Sequence, residues 1–155
     1  MLTAVPKSWF SWNFLLREAR GTVVGEVLLS SWRERGAVVA DGLTYRIYRE
    51  SLLGPFVMEA PDGSMAALAS KPGAFRRRFI VSDDRRTYEL KAVSSFGRKF
   101  DVFCDEKPIG AIEPQNCFGR QANIHFNEDV PPAIQAFLAW LTLLLWKRDS
   151  DAAAG

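Results

Sequence analysis

The sequence predicts an all-β fold with one helix: a closed barrel of about twelve antiparallel strands around a central hydrophobic C-terminal helix. Three observations lead there. Residues 131–148 are apolar on nearly every side of a helix, and such a helix has to be enclosed by protein or by lipid. Between Phe14 and that segment almost no helical periodicity occurs; short runs alternate in character and end at turn residues, as in a β-meander. Some of those runs recur at nearly constant spacing, the mark of an internal repeat.

Length and composition set the frame. A chain of 155 residues, 48% hydrophobic and 25% charged, fits one domain with a sizeable core and is not globally disordered. A net charge of +2 gives no reason to expect nucleic acid as a partner. Cys104 and Cys117 are too few for a disulfide framework and are expected as reduced cytoplasmic thiols. The apolar run after Lys7 is short, interrupted by Ser8, Ser11 and Asn13, and followed by no cleavage site, so it does not read as an export signal. Residues 1–12 are expected as an aromatic N-terminal arm, 13–148 as the barrel with its helix at 131–148, and 149–155 as a disordered tail.

The expected strands are 13–17, 22–29, 37–40, 45–50, 55–60, 64–70, 76–82, 87–93, 99–104, 108–113, 116–118 and 122–127. Pro61-Asp62-Gly63-Ser64 is the strongest turn signal: Pro presets one φ and Gly permits a positive one. Asp105-Glu106-Lys107-Pro108 occupies the equivalent place later. The repeat is carried by Val24-Gly25-Glu26-Val27, Met65-Ala66-Ala67-Leu68 and Ile109-Gly110-Ala111-Ile112, each with large apolar residues around a small one. After each comes a strand with a charged end: Ala37 to Asp41, Phe79 to Asp83 and Ile124 to Glu128. The first two continue into Thr44-Tyr45-Arg46-Ile47 and Thr87-Tyr88-Glu89-Leu90; the third runs into Pro131-Pro132 and the helix. Three units of about four strands make about twelve.

A closed barrel of that size leaves a lumen, because about eight strands already suffice to hold only side chains. A helix is ~10–12 Å across with its side chains and rises ~1.5 Å per residue. The segment from Pro132 to Lys147 therefore suits the lumen, and it is short against the ~20 residues a bilayer span takes. Three β units closed by a hydrophobic C-terminal helix resemble the tubby C-terminal-like superfamily, with its phospholipid scramblases and LURP-one-related proteins. The resemblance covers roughly Phe14 to Arg148 and is most specific from Ile124 to Trp146-Lys147-Arg148. It implies a twelve-stranded barrel around the helix, and a role at membranes.

The basic clusters are Arg76-Arg77-Arg78, Arg85-Arg86, Arg98-Lys99 and Lys147-Arg148, and of these Arg76, Arg78, Arg85, Arg86, Lys147 and Arg148 are the candidate site, a patch for an anionic ligand. In a strand over 76–82, Phe79 and Val81 face inward, so Arg76 and Arg78 face out. Such clusters are also ordinary solvated surface. His125 alternates with Ile124 and Phe126 and is expected to face outward. Cys104 follows Phe100 and Val102 at period two and is expected in the core. No metal or cofactor site is expected: no ligand spacing, phosphate loop or nucleophile elbow is present. Asp83-Asp84, Asp105-Glu106 and Glu128-Asp129 read as turn residues. Trp9, Phe10, Trp12 and Phe14 are expected to cap a barrel mouth.

These observations point to a non-enzymatic binding or regulatory module, recognising anionic phospholipid or a protein partner at the cytosolic membrane surface. Two alternatives stand beside it: a structural or protein-interaction domain with no lipid role, and a tail-anchored membrane protein.

Overall fold

The structure is a computed structural model that describes residues 1–30, 33–73 and 77–155. Twelve strands form one closed antiparallel barrel: β1 (Leu2–Pro6), β2 (Asn13–Glu18), β3 (Val23–Leu29), β4 (Gly36–Ala40), β5 (Leu43–Arg49), β6 (Phe56–Glu59), β7 (Met65–Ser70), β8 (Arg78–Ser82), β9 (Thr87–Ala92), β10 (Phe100–Cys104), β11 (Lys107–Pro114) and β12 (Ala122–Phe126). One helix follows, α1 (Pro132–Ala154). Each strand pairs with its neighbours in sequence, and β1 closes the ring against β12 through Leu2↔Ile124, Thr3↔Asn123 and Ala4↔Ala122.

Alternation sends one face of each strand inward. Val27 and Leu29, Val38 and Ala40, Phe79 and Val81, Tyr88 and Leu90, and Phe100, Val102 and Cys104 are buried. The helix fills what they enclose. Ala136 to Leu143 is buried without interruption, so no side of the helix is left for solvent. Its Pro131-Pro132 start suits the first helical turn, where backbone N–H groups lack internal partners. Two indoles fasten it to the wall: Trp140 Nε1 donates to Leu28 O at 2.9 Å and Trp146 Nε1 to Arg98 O at 2.9 Å. The helix lies nearest β3 and β4, where the wall carries Gly25, Gly36 and Ala40. A Cβ on Gly36 would fall 1.9 Å from Leu28 O and 2.8 Å from Trp140 Nε1, so only glycine admits the indole there. Six strands round the ring, Tyr88 and Phe100 fill the wider gap. Thr142, on the narrow polar face with Gln135, donates to Leu138 O of its own helix at 3.0 Å; Gln135 Nε2 donates to Val130 O at 2.8 Å.

The threefold repeat is visible in the irregularities. Register shifts fall between Leu16 and Arg17, Met58 and Glu59, and Val102 and Phe103, each where the second strand of a four-strand unit meets the third. Two of the turns at that position are the same. In 18–22 and 60–64 a glycine, Gly21 at φ 88° or Gly63 at φ 86°, follows a hydrogen-bonded turn. The third, at 105–106, holds Asp105 at φ 51° and Glu106 at φ 64°, which is the left-handed region glycine prefers.

Three expectations are corrected. Residues 1–12 are not an arm throughout, because Leu2–Pro6 is the strand that closes the barrel. Residues 116–118 are a turn and not a strand, so twelve expected strands match twelve observed only because one loss offsets one gain. The helix continues to Ala154, through most of the expected tail.

Gly36→Ala is expected to destabilise the fold by about 2 kcal/mol or more, as a clash inside a packed core; Glu106→Gly is expected to stabilise it by roughly 0.5–1 kcal/mol, as relief of a positive φ. Urea denaturation of the two variants checks both signs.

Candidate functional site

An even number of antiparallel strands sorts the connections into two sets. One barrel end, the turn mouth, holds the turns at 19–22, 41–42, 60–64, 83–86 and 105–106 and the segment 127–131 that feeds the helix. The other, the loop mouth, holds 7–12, 30 and 33–35, 50–55, 71–73 and 77, 93–99 and 115–121 together with the helix C-terminus. The two ends differ sharply in charge. Among the described residues the loop mouth carries ten Lys or Arg against four Asp or Glu. The turn mouth carries three against eight, and the strands six of each. A small net charge thus conceals a barrel polarised from end to end.

Two features organise the loop mouth. The first is a cation cluster. Glu34 accepts from Arg49 Nη1 at 2.6 Å and from Arg148 Nε. Burial pushes the Glu34 carboxyl up, but the hydrogen bonds and charges of Arg148 and then Arg49 outweigh it and hold its pKa below the ordinary value. Lys71 stands beside them, half-buried, with no hydrogen bond or salt bridge among the described residues. Burial, then Arg148 and Arg49, lower its pKa from the ordinary lysine value. Among the described residues one carboxylate therefore serves three cations, which repel one another.

The second is a relay of arginines, each holding the next loop. Arg77 donates to Ser95 O and Gly97 O, at 3.3 and 2.6 Å. Arg98 donates to Asn116 O, Cys117 O and Gly119 O, at 2.9, 2.7 and 2.7 Å. Arg120 donates to Ser8 O at 3.1 Å and to the carbonyls of Trp9 and Ser11. Each guanidinium also lies over a ring: Arg77 over Phe100 at 5.3 Å, Arg98 over Trp146 at 5.0 Å and Arg120 over Trp12 at 5.3 Å. Arginine suits this, since its planar fork reaches several acceptors while its face stacks. Burial lowers the Arg120 pKa from its ordinary value. Arg77 also meets Asp149 at 2.9 Å, but among the described residues Arg98 and Arg120 have no carboxylate partner. Carbonyls satisfy their donors without cancelling their charge. Between these arginines, Phe96, Phe118 and the end of the helix lies a cleft of about 610 Å³, wide enough for a small anionic group.

The sequence-predicted patch is not one surface. Arg85 and Arg86 belong to the turn mouth, where their backbone N–H groups donate to Asp83 Oδ1 and Arg86 Nη1 reaches Asp129 O. Lys147 and Arg148 belong to the loop mouth, at the opposite end of the barrel. Arg78 faces outward on β8 and is held by Glu89 through two hydrogen bonds, at 2.9 and 2.5 Å. Arg76 lies outside the described residues. Lys147 pairs with Asp151 at 2.6 Å. Sequence reasoning named Arg77 and Arg98 in basic clusters but left them out of the patch, and it missed Arg49, Lys71 and Arg120; only barrel closure brings these residues together. One signal was available: Ser94-Ser95-Phe96-Gly97-Arg98 and Asn116-Cys117-Phe118-Gly119-Arg120 share a pattern.

The aromatic run also departs from expectation. Phe14 is buried and Trp12 is half-buried against the core, but Trp9 and Phe10 project into solvent and cap nothing. Cys104 is buried, Cys117 is exposed, and both are free thiols; His125 is exposed. The Tyr88 hydroxyl is buried without a hydrogen-bond partner among the described residues. Among the described residues no group of three His, Cys, Asp or Glu could hold a metal ion, and no helix is long and apolar enough to cross a membrane. The chain matches no family model, no curated protein and no solved structure.

Glu34 has a depressed folded-state pKa, so its contribution to stability is fully present above its unfolded value and is lost as pH falls through the folded one. The Tm of Glu34→Gln is expected below that of the wild type at neutral pH, with the gap closing as the solution is acidified. A gap independent of pH would contradict the ion-pair role.

Proposed function

We propose that this protein is a non-enzymatic module that docks on the anionic phospholipid surface of a membrane, loop mouth first, on the cytosolic side. The observation that carries the reading is the charge separation between the mouths. A cytosolic leaflet rich in anionic lipid attracts cations near its surface by about 1 kcal/mol each. The loop mouth offers an excess of them, while the acidic turn mouth is repelled, so the field of the whole barrel orients the approach. The cation cluster at Lys71 supports the same reading: an anion there relieves the repulsion among its cations. The proposal also accords with the tubby-like resemblance read from the sequence, which implies three β units around a terminal helix.

The tail-anchored alternative loses its element, since the apolar helix is enclosed by the barrel. A purely structural role gives no reason for collecting uncompensated cations at one end.

Vesicle co-sedimentation tests the proposal. The protein is expected to pellet with phosphatidylserine-containing vesicles at low salt and not with pure phosphatidylcholine. Arg33 and Arg35 are exposed, and with Lys71 they have no ion pair among the described residues. Reversing all three to Glu is expected to weaken binding by at least about a hundredfold, since loss of the three cations alone removes about 1 kcal/mol each. Arg85→Glu, at the turn mouth, is expected to bind as the wild type does. Equal binding to neutral vesicles, or equal loss in Arg85→Glu, would sink the proposal.

A further inference from the structure

Four connections of the loop mouth share one construction, a four-residue turn that carries a large apolar residue at its third position. They are Ser8-Trp9-Phe10-Ser11, Ser51-Leu52-Leu53-Gly54, Ser94-Ser95-Phe96-Gly97 and Asn116-Cys117-Phe118-Gly119. The first residue of each closes the turn. Ser8 O accepts from Ser11 N at 3.2 Å, Ser51 O from Gly54 N at 3.1 Å, Ser94 Oγ from Gly97 N at 2.8 Å, and Asn116 Oδ1 from Gly119 N at 2.5 Å. The third residues stand almost wholly in solvent: Phe10 is 87% exposed, Leu53 91%, Phe96 96% and Phe118 100%. With Trp9 and Leu52 beside them, they are the only large apolar residues among the described ones that are more than four-fifths exposed.

Scattered apolar side chains on a surface need no explanation. Six of the most exposed ones gathered at one end, on tips built to a common plan, do. The arginine relay shows that the tips are held rather than loose. Arg98 and Arg120 grip the carbonyls of the first, second and fourth residues of their turns, and Arg77 those of the second and fourth, which leaves the third free to project. The uncompensated charge of Arg98 and Arg120 lies just behind. The apolar residues stand on four separate turns, with Trp9 adjoining Phe10, Leu52 adjoining Leu53, and Phe96 and Phe118 on either side of one cleft. A protein partner is served by a contiguous apolar patch, whereas separate aromatic tips with cations behind them match the layering of a bilayer, acyl boundary beneath phosphate.

We propose that these tips form a crown that inserts into the membrane interface, with Phe96 and Phe118 entering the acyl boundary while the arginines behind them meet lipid phosphates. The inference rests on the docking proposal and adds its depth: binding has an apolar component that salt does not screen. The turn mouth cannot do this, since its exposed apolar residues are less exposed and its charge is acidic.

The test uses the full chain and vesicles of phosphatidylcholine with phosphatidylserine. Phe96→Ser combined with Phe118→Ser removes two side chains that bury nothing, so the Tm is expected to be unchanged. The partition coefficient at high salt is expected to fall at least about tenfold, given the free energy of moving two phenyl rings out of water. Brominated acyl chains are expected to quench the fluorescence of the wild type, and to quench Trp9→Ser less. If the double variant partitions as the wild type does while both require anionic lipid, the crown is overturned and electrostatic docking stands. If crown-dependent binding shows no preference for anionic lipid, the docking proposal fails and insertion stands. Absence of binding to any vesicle overturns both.

Discussion

A ring of twelve strands encloses more space than its own inward side chains can fill, and the structure rests on the helix that occupies it. The constraint is mutual. The helix has no polar face to offer water, and the wall has no core without it. The two indole hydrogen bonds, to Leu28 O and Arg98 O, fix both the depth and the rotation of the helix. Gly25, Gly36 and Ala40 lie on β3 and β4, where the helix comes close, and Tyr88 and Phe100 lie six strands away around the ring. Packing of this kind tolerates little adjustment, because interiors are dense and voids are costly.

Placing the helix determines what the two ends can be. Its N-terminus follows directly from β12, so one mouth is closed by short turns, which are acidic because Asp and Glu stabilise such turns through their own backbone bonds. The other mouth receives the helix C-terminus and every longer connection. Chain topology alone thus separates a structural end from an adaptable one, in the way loops on a rigid scaffold usually carry binding. The arginine relay is a consequence of ring closure: each loop has a neighbour on both sides, so a single device can be repeated around the mouth. Its use of carbonyls as partners explains how the loops can be ordered and still present net positive charge.

The barrel was legible in the sequence because two periodicities are simple to read. Alternation exposed β2 to β12, apart from the turn at 116–118, and the spacing of the small-residue segments placed β3, β7 and β11 in equivalent positions. β1 was hidden for a physical reason. It is short, it ends in Pro6, its one fully buried residue is Ala4, and an aromatic run follows that dominates the local pattern. The extension of the helix past Arg148 was hidden by polar residues that a protruding helix end accepts as readily as a tail does.

The sequence by itself determined the fold class, the enclosed helix and the outward faces of Arg78 and His125, since each depends on local period and on what burial requires. Only the tertiary structure decided the site. Arg85 and Arg86 look like neighbours of Arg78 along the chain, yet Arg78 lies on the outer face of β8 while Arg85 and Arg86 stand in the turn beyond it, at the mouth opposite Lys147 and Arg148. Glu34, Arg49, Lys71 and Arg148 are remote in sequence and adjacent in space, because successive connections return to the same mouth. Charge at one end of a closed barrel is a sum over every second loop, and no local pattern in the chain records that sum.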